Sequence, residues 1–408
     1  MTYQYSQERI GGRTIMENYT GKPYQIWGRE LIDQPSIDQM NNAISLPISV
    51  AGALMPDAHL GYGLPIGGVL ATVKAVIPYA VGVDIACRVC MSIYPADPEL
   101  LVEEPERLIQ CLQRSTRFGV GAHWAPPKNH PVLDDPLWDS TSLLRDLHRT
   151  AVTQLGTSGA GNHFADFGLL EVHQEHPGVP LTKGKYIALL THSGSRKVGH
   201  AICTHYSQIA RTIRHDLPKP LQHLSWLSMD SKEGEEYWQA MELAGRFSAA
   251  NHTIIHDQIA QCLGWKSLHR IENHHNFAWK ERWQGQKVIL HRKGATPANQ
   301  DAIGIIPGSM ADPAFVVRGL GNEQSLNSAA HGAGRQMSRK SAKATISIQE
   351  RAAYLKKKGV HLIQAGIDEA PQAYKSINEI MASQQDLVEI MGRFHPKIVL
   401  MAREKGAI

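Results

Sequence analysis

The chain has 408 residues, 42% of them hydrophobic and 20% charged, with a formal net charge of +4. That composition excludes a disordered or fibrous chain and is enough to bury a large core. The small positive charge suits an anionic partner without demanding one.

Residues 1–9 lack the basic and apolar regions of a secretory leader. The most apolar early run, residues 43–55, is broken by Pro47 and too short to cross a bilayer. The runs 66–73 and 77–85 read as buried strands, and 99–114 as a helix. Residues 124–140, where Pro126, Pro127, Pro131 and Pro136 crowd together, read as a surface loop. Strands are expected at 186–191 and 288–291, each running into a polar motif, and helices at 196–214 and 233–263. Ser376 with Glu379 predicts a capping box, opening a last helix whose stripe is Ile377, Ile380, Met381, Leu387, Val388 and Met391. Five cysteines in so long a chain make no disulfide framework. A soluble cytoplasmic protein with reduced thiols is expected.

Chemistry concentrates in short polar motifs within apolar or glycine-rich surroundings. Asp84-Ile85-Ala86-Cys87 sets a carboxylate and a thiol three residues apart, a pair that can share a borderline divalent ion. Gly159-Ala160-Gly161-Asn162-His163, Thr191-His192-Ser193-Gly194-Ser195-Arg196 and Glu272-Asn273-His274-His275-Asn276 each present a histidine. Any one of these is compatible with a structural histidine, and Asp84 and Cys87 with an ordinary strand end. Together they point to a two-metal centre, suited to in-line displacement at phosphorus. Cys87 and Cys90 also form a lone CxxC, which leaves a structural zinc or RNA-binding protein as another reading. Pro307-Gly308-Ser309-Met310 and His331-Gly332-Ala333-Gly334-Arg335 are either plain surface turns or backbone cradles for phosphate. In the second reading His331 is a possible nucleophile at phosphorus, and Arg335 and Arg196 are possible phosphate contacts. Lys356-Lys357-Lys358 and Arg339-Lys340 read as solvated faces, with a place along an RNA path as the other reading.

Taken in order, these motifs resemble the RtcB family of RNA-splicing ligases. The matching runs include residues 55–67, Val81-Gly82-Val83-Asp84, Gly161-Asn162-His163-Phe164, His192-Ser193-Gly194-Ser195-Arg196 and His275-Asn276. They continue through Arg292-Lys293-Gly294-Ala295, Pro307-Gly308-Ser309-Met310, Arg318-Gly319-Leu320-Gly321-Asn322-Glu323, His331-Gly332-Ala333-Gly334-Arg335 and Asp386-Leu387-Val388-Glu389 in the expected last helix. The resemblance implies a single catalytic domain over 1–408, of α/β character and α+β type, with mixed and antiparallel sheets. It implies two manganese ions bridged by Cys87, one also held by His192 and His275, the other by Asp84 and His163. His331 would attack the α-phosphate of GTP, and the GMP would pass to an RNA 3′-phosphate that a 5′-hydroxyl then displaces. Broken tRNA or rRNA would be the partner, with no membrane involved. Asn162, His163, Asp166, His275, Asn276, Pro307, Gly308, Ser309, Met310, Ala314, Gly332, Ala333 and Gly334 would line the nucleotide site.

Several positions depart from the family pattern. Ala86 and Arg88 replace two glycines beside Cys87, so Arg88 is expected to add a charge there. Asp166 stands for a glutamate, Ala314 for a serine, and Met401 for a near-terminal lysine, with Arg403 and Lys405 close by in sequence. Each lost contact to a base is worth roughly 1–3 kcal/mol, which predicts a weaker hold on guanine. These losses also motivate a second enzymatic reading, a metal-dependent 2′,3′-cyclic phosphodiesterase that no longer ligates.

Overall fold

The computed structural model describes residues 15–19 and 22–403; the expectations for residues 1–9 and Lys405 lie outside the described residues. Helices and mixed sheets make an α+β protein. One six-stranded sheet runs Ile15–Tyr19, Lys22–Ile26, Ser49–His59, Ile66–Thr72, Gln286–Lys293, Asn276–Trp283 in spatial order. The larger sheet runs His269–His274, Arg88–Tyr94, Gly184–Ser193, Phe164–Val172, Val388–Met401, Ala314–Gly319, Ile303–Ile306. Its neighbours pair antiparallel, and His361–Gln364 joins Val388–Met401 in parallel.

Strand alternation sets the layers. Ala51, Ala53, Val69, Ala71, Val288 and Leu290 of the smaller sheet share one apolar cluster with Ile306, Phe315, Val317 and Val388 of the larger. The opposite face, including Tyr24, Leu54 and Leu70, is covered by Ile37, Met40 and Ile44 of the helix Gln34–Ile44. Asp33 starts that helix by accepting from Ser36 N at 3.0 Å. The long helix Lys232–Leu263 serves two cores. Its first half packs on Arg196–Ile213 and Ser142–Gln154, while Ile255, Ile259 and Leu263 join Pro105–Ser115 behind the larger sheet. Ser231 caps its start, and Gly264 ends it with φ 69°.

Several expected elements differ. Residues 77–85 are no strand: Pro78–Val81 is one helical turn, opened by the proline, and Gly82 at φ 103° turns the chain. A continuous apolar run has no period to tell a buried strand from a buried turn. The helix expected at 99–114 is two, Leu100–Glu103 and Pro105–Ser115, because Pro105 cannot donate to the preceding turn. The last helix stops at Ala382, and Val388 and Met391 belong to the strand Val388–Met401. The apolar stripe joined two elements because Ile377, Ile380, Met381, Leu387 and Val388 fill one cluster from both. Ser376 Oγ does accept from Glu379 N, but the reciprocal box forms elsewhere, between Ser347 and Glu350. The proline-rich loop folds into 3-10 turns at Pro131–Asp134 and Pro136–Asp139, sinking Val132 and Trp138 into the core.

Candidate active site

Four neighbouring strands of the larger sheet end at one edge. His275 follows His269–His274, Cys87 precedes Arg88–Tyr94, His192 nearly closes Gly184–Ser193, and His163 precedes Phe164–Val172. Antiparallel register brings these ends together: His274 lies opposite Arg88, and His192 opposite both Val89 and Phe164. Cys87 Sγ is 3.1 Å from His192 Nε2 and 3.5 Å from His163 Nε2. His163 Nε2 is 3.0 Å from Asp84 Oδ2, and His192 Nε2 is 3.3 Å from His275 Nε2. The ligand atoms of Asp84, Cys87 and His163 lie within 4.8 Å of one another, as do those of Cys87, His192 and His275, so the two groups share the thiol.

The local backbone serves this convergence. A Cβ on Gly194 would come to 2.2 Å from Asp84 Oδ1, so only glycine admits the carboxylate. Ala86 holds the left-handed conformation at φ 54°, at a cost of roughly 1–2 kcal/mol. Its N–H donates to Asn276 O at 2.7 Å, and its carbonyl accepts from Ser248 Oγ at 2.8 Å. The charge of Arg88 bears on Cys87, as expected, but its guanidinium makes no contact with the cluster. Alternation turns it to the opposite face of its strand, where it bonds Glu272 and Gly245 O.

Burial, then the charge of His163, lowers His192 to about 3, and burial with His331 holds His275 well down, so both imidazoles stay neutral. His192 Nδ1 donates to Asn162 O at 2.9 Å, leaving the Nε2 lone pair facing the cluster. Burial alone would raise Asp84, but His163, Cys87 and Arg196 hold it at about 2, so it is a carboxylate. Burial and Asp84 push the Cys87 thiol up, so a thiolate there needs a cation beside it. The Nδ1 atoms of His163 and His275 are buried without a partner among the described residues. Oxygen, sulfur and imidazole donors converging on one space fit a pair of borderline divalent cations.

His331 reaches the cluster from another direction. It follows the strand Ser328–Ala330, which pairs with Ala295–Pro297, and Ala295 N donates to His275 O at 3.2 Å. The His331 and His275 rings stand 4.8 Å apart. Asp57 orients His331 from beneath. It lies where the register of Ser49–His59 shifts against Ile66–Thr72, and it is fully buried. Its Oδ2 accepts from His331 Nδ1 at 2.6 Å and from the N–H groups of His331 and Gly332 at 3.0 and 3.3 Å. Gly334, at φ 68°, must be glycine, because a Cβ would fall 2.1 Å from Asp57 O. Asp57 stands in a sequence run that resembles the family, but nothing local says which distant residue it faces.

A cleft of about 610 Å³ joins these parts. Asp84, Cys87, His192, His275 and His331 line it, with Pro307 to Met310, Gly332 to Arg335, and Asn162 and Asn276 around them. Asn276 is already committed, accepting from Gly294 N at 2.8 Å and donating to Asp84 O at 3.1 Å. From there the cleft crosses the sheet to Phe164, Asp166, Leu190, Ala314, Phe394 and Met401. Met401 is buried, and Arg403 turns to Gln364 at 2.7 Å instead of reaching in. Arg196 is not among the lining residues; it bonds Thr157 Oγ1 and Gly119 O while its charge bears on Asp84. Arg335 does line the cleft, but its guanidinium bonds Met337 O, Tyr374 OH and Asp368 O and lies 3.5 Å from Glu369. Arg339, expected on a solvated face, also lines the cleft and pairs with Asp368 and Glu369.

Lys293 is a further cleft residue with no role from spacing. Its ammonium is buried on Tyr62 O and Leu64 O, and burial lowers its pKa to about 7. The unfolded chain keeps that proton to the ordinary 10.5. Between these values it binds more protons than the folded state, so stability rises with pH. The melting temperature of the wild type is therefore expected to gain on that of Lys293→Met between pH 7 and about pH 9; parallel melting curves would contradict this.

A family model described as tRNA-splicing ligase RtcB matches residues 39–402. The chain belongs to the RtcB family. The RNA-splicing ligase RtcB of Escherichia coli K12 is 32% identical over 398 residues, covering 90% of this chain and 95% of its own. The tRNA-splicing ligase RtcB of Nanoarchaeum equitans is 30% identical, covering 89% and 90%. The RNA-splicing ligase RtcB of Mycobacterium bovis is also 30% identical, covering 88% and 98%. The RtcB family is one of RNA ligases, and among the described residues no helix is long and apolar enough to cross a membrane.

Proposed function

We propose that this RtcB-family protein joins RNA ends bearing a 3′-phosphate or 2′,3′-cyclic phosphate to 5′-hydroxyl ends, through a nucleotide carried on His331. The observation that carries this reading is the Asp57–His331 pair, which directs an imidazole into the cleft beside the His275 end of the thiolate cluster. With Nδ1–H held by Asp57, Nε2 keeps its lone pair. It attacks the α-phosphorus of a nucleoside triphosphate: the P–N bond forms, the bond to the bridging oxygen breaks, and pyrophosphate leaves. An RNA 3′-phosphate oxygen then attacks the same phosphorus, breaking the P–N bond and freeing the imidazole. Finally the 5′-hydroxyl loses its proton and displaces the nucleoside monophosphate, forming the phosphodiester. A cyclic end is first opened by water. The resemblance implies GTP as donor, although the phosphate chemistry is the same for any nucleoside triphosphate.

Asp84, Cys87 and His163 would hold one divalent cation, and Cys87, His192 and His275 the other, manganese being the ion the family implies. Bound there, the pair would neutralise phosphate charge and stabilise the entering and leaving oxygens. The N–H groups near Gly332 and the 307–310 turn would cradle the phosphates, with Arg335 and Arg196 adding positive charge. Broken tRNA or rRNA in the cytoplasm is the proposed substrate.

The test is RNA with one 3′-phosphate and one 5′-hydroxyl end, incubated with manganese and nucleotide. Joined product is expected only when nucleotide is present. Opening of cyclic ends without nucleotide and without joining would point to the phosphodiesterase. Because Cys87 serves both groups, Cys87→Ala should lose both ions and all joining. A variant with full metal content and activity would remove the bridging role.

A further inference from the structure

Where the cleft crosses the larger sheet, Asp166 offers a polar group that its neighbours leave largely unpaired. Asp166 lies on Phe164–Val172, between Leu190 and Val399 on the flanking strands. It is 4% exposed and lines the cleft. Oδ1 accepts one long bond, 3.4 Å, from Leu400 N, while Oδ2 has no partner among the described residues. The surrounding walls are Phe164, Leu190, Met310, Ala314, Phe394 and Met401, and no described cation pairs with the carboxyl. Burial pushes Asp166 well above the usual carboxylate range, which favours the neutral acid.

A neutral carboxyl offers one O–H donor and one carbonyl acceptor; a carboxylate offers acceptors only. Adenine presents N1 as acceptor beside the N6 amino donor, which match the neutral acid. Guanine presents two donors, N1–H and the N2 amino group, which match the ionised form. Geometry places the base here. Asp166 faces Leu190, two residues along its strand from His192, so one strand spacing and two residues of rise set it roughly 8 Å from the cluster, with Met401 two strand spacings, roughly 10 Å, from His192. That is the reach of a nucleoside whose α-phosphate sits at His331.

We propose that the apolar end of this cleft takes adenine, read by Asp166, so that ATP is the preferred nucleotide donor. This rests on the nucleotidyl-transfer reading above. The test is equilibrium binding of α,β-methylene ATP and α,β-methylene GTP to the manganese-loaded wild-type protein, beside His331 labelling from α-labelled ATP and GTP. The adenine analogue should bind at least about tenfold tighter, a difference of about 1.4 kcal/mol. Equal or tighter binding of the guanine analogue would overturn the proposal. Absence of label from both nucleotides would instead overturn the ligase reading, while the binding ratio still decides base choice. Asp166→Asn keeps one donor and one acceptor and should hold the adenine analogue within about threefold; Asp166→Leu should erase the preference. Met401→Lys, which sets a cation in that wall, should ionise Asp166 and swing the ratio toward guanine.

Discussion

The His331→Ala protein, given manganese and α-labelled nucleoside triphosphate, should take up no label while keeping the metal content of the wild type. Alanine removes the imidazole that Asp57 directs into the cleft and whose ring stands 4.8 Å from that of His275. His163, His192 and His275 all point Nε2 at Cys87 or at one another, and His59 bonds the Asp57 carbonyl through Nδ1. His59 also leaves Nε2 free, but His331 is the one of the two whose ring meets the cluster, so covalent transfer should fall by at least about 10⁴. The side chain at 331 contributes no ligand atom to either group, so metal binding separates lost chemistry from a collapsed site. Label retained on the variant would remove His331 as the carrier.

Asp57→Asn should be nearly as damaging, for a different reason. The buried carboxylate can only accept, so it fixes the proton of His331 on Nδ1. All three bonds meet the one atom Oδ2, so an asparagine sets either its oxygen or its amide nitrogen against them. With nitrogen there, its hydrogens face Nδ1 and drive the proton to Nε2, the atom required to attack; with oxygen there, an uncharged acceptor holds the Nδ1 proton less firmly. A loss of about 10³ to 10⁴ in single-turnover labelling is expected, the scale of losing a carboxylate that sets a catalytic tautomer. An unchanged melting temperature would show that the loss is chemical. A labelling rate within about threefold of wild type would contradict the assignment.

The five residues that converge could be read from the sequence because each sits in a short polar motif beside an apolar run. Asp84, Cys87, His163, His192 and His275 were each conspicuous for that reason, and antiparallel register at four strand ends is the physical cause of their meeting. Asp57 was not legible as a partner of His331, because a contact across 274 residues depends on how two sheets close together. Arg339 looked like solvated charge for the same reason, since Asp368 and Glu369 come from a separate segment. Fold errors fell where periodicity was silent or shared. The uniformly apolar 77–85 run hid a helical turn, and one cluster fed from both a helix and a strand imitated a longer helix. Arg88 separates charge from contact: its charge bears on Cys87 as its place in the sequence suggests, while strand alternation turns its guanidinium to Glu272 and Gly245 O.

Mass analysis of the wild-type protein after incubation with manganese and nucleoside triphosphate addresses the central claim most directly. The expected result is a gain of one nucleoside monophosphate, lost in mild acid as a phosphoramidate should be, and mapped to the peptide containing His331. A stable adduct on any other residue, or RNA joined with no such adduct ever formed, would contradict it.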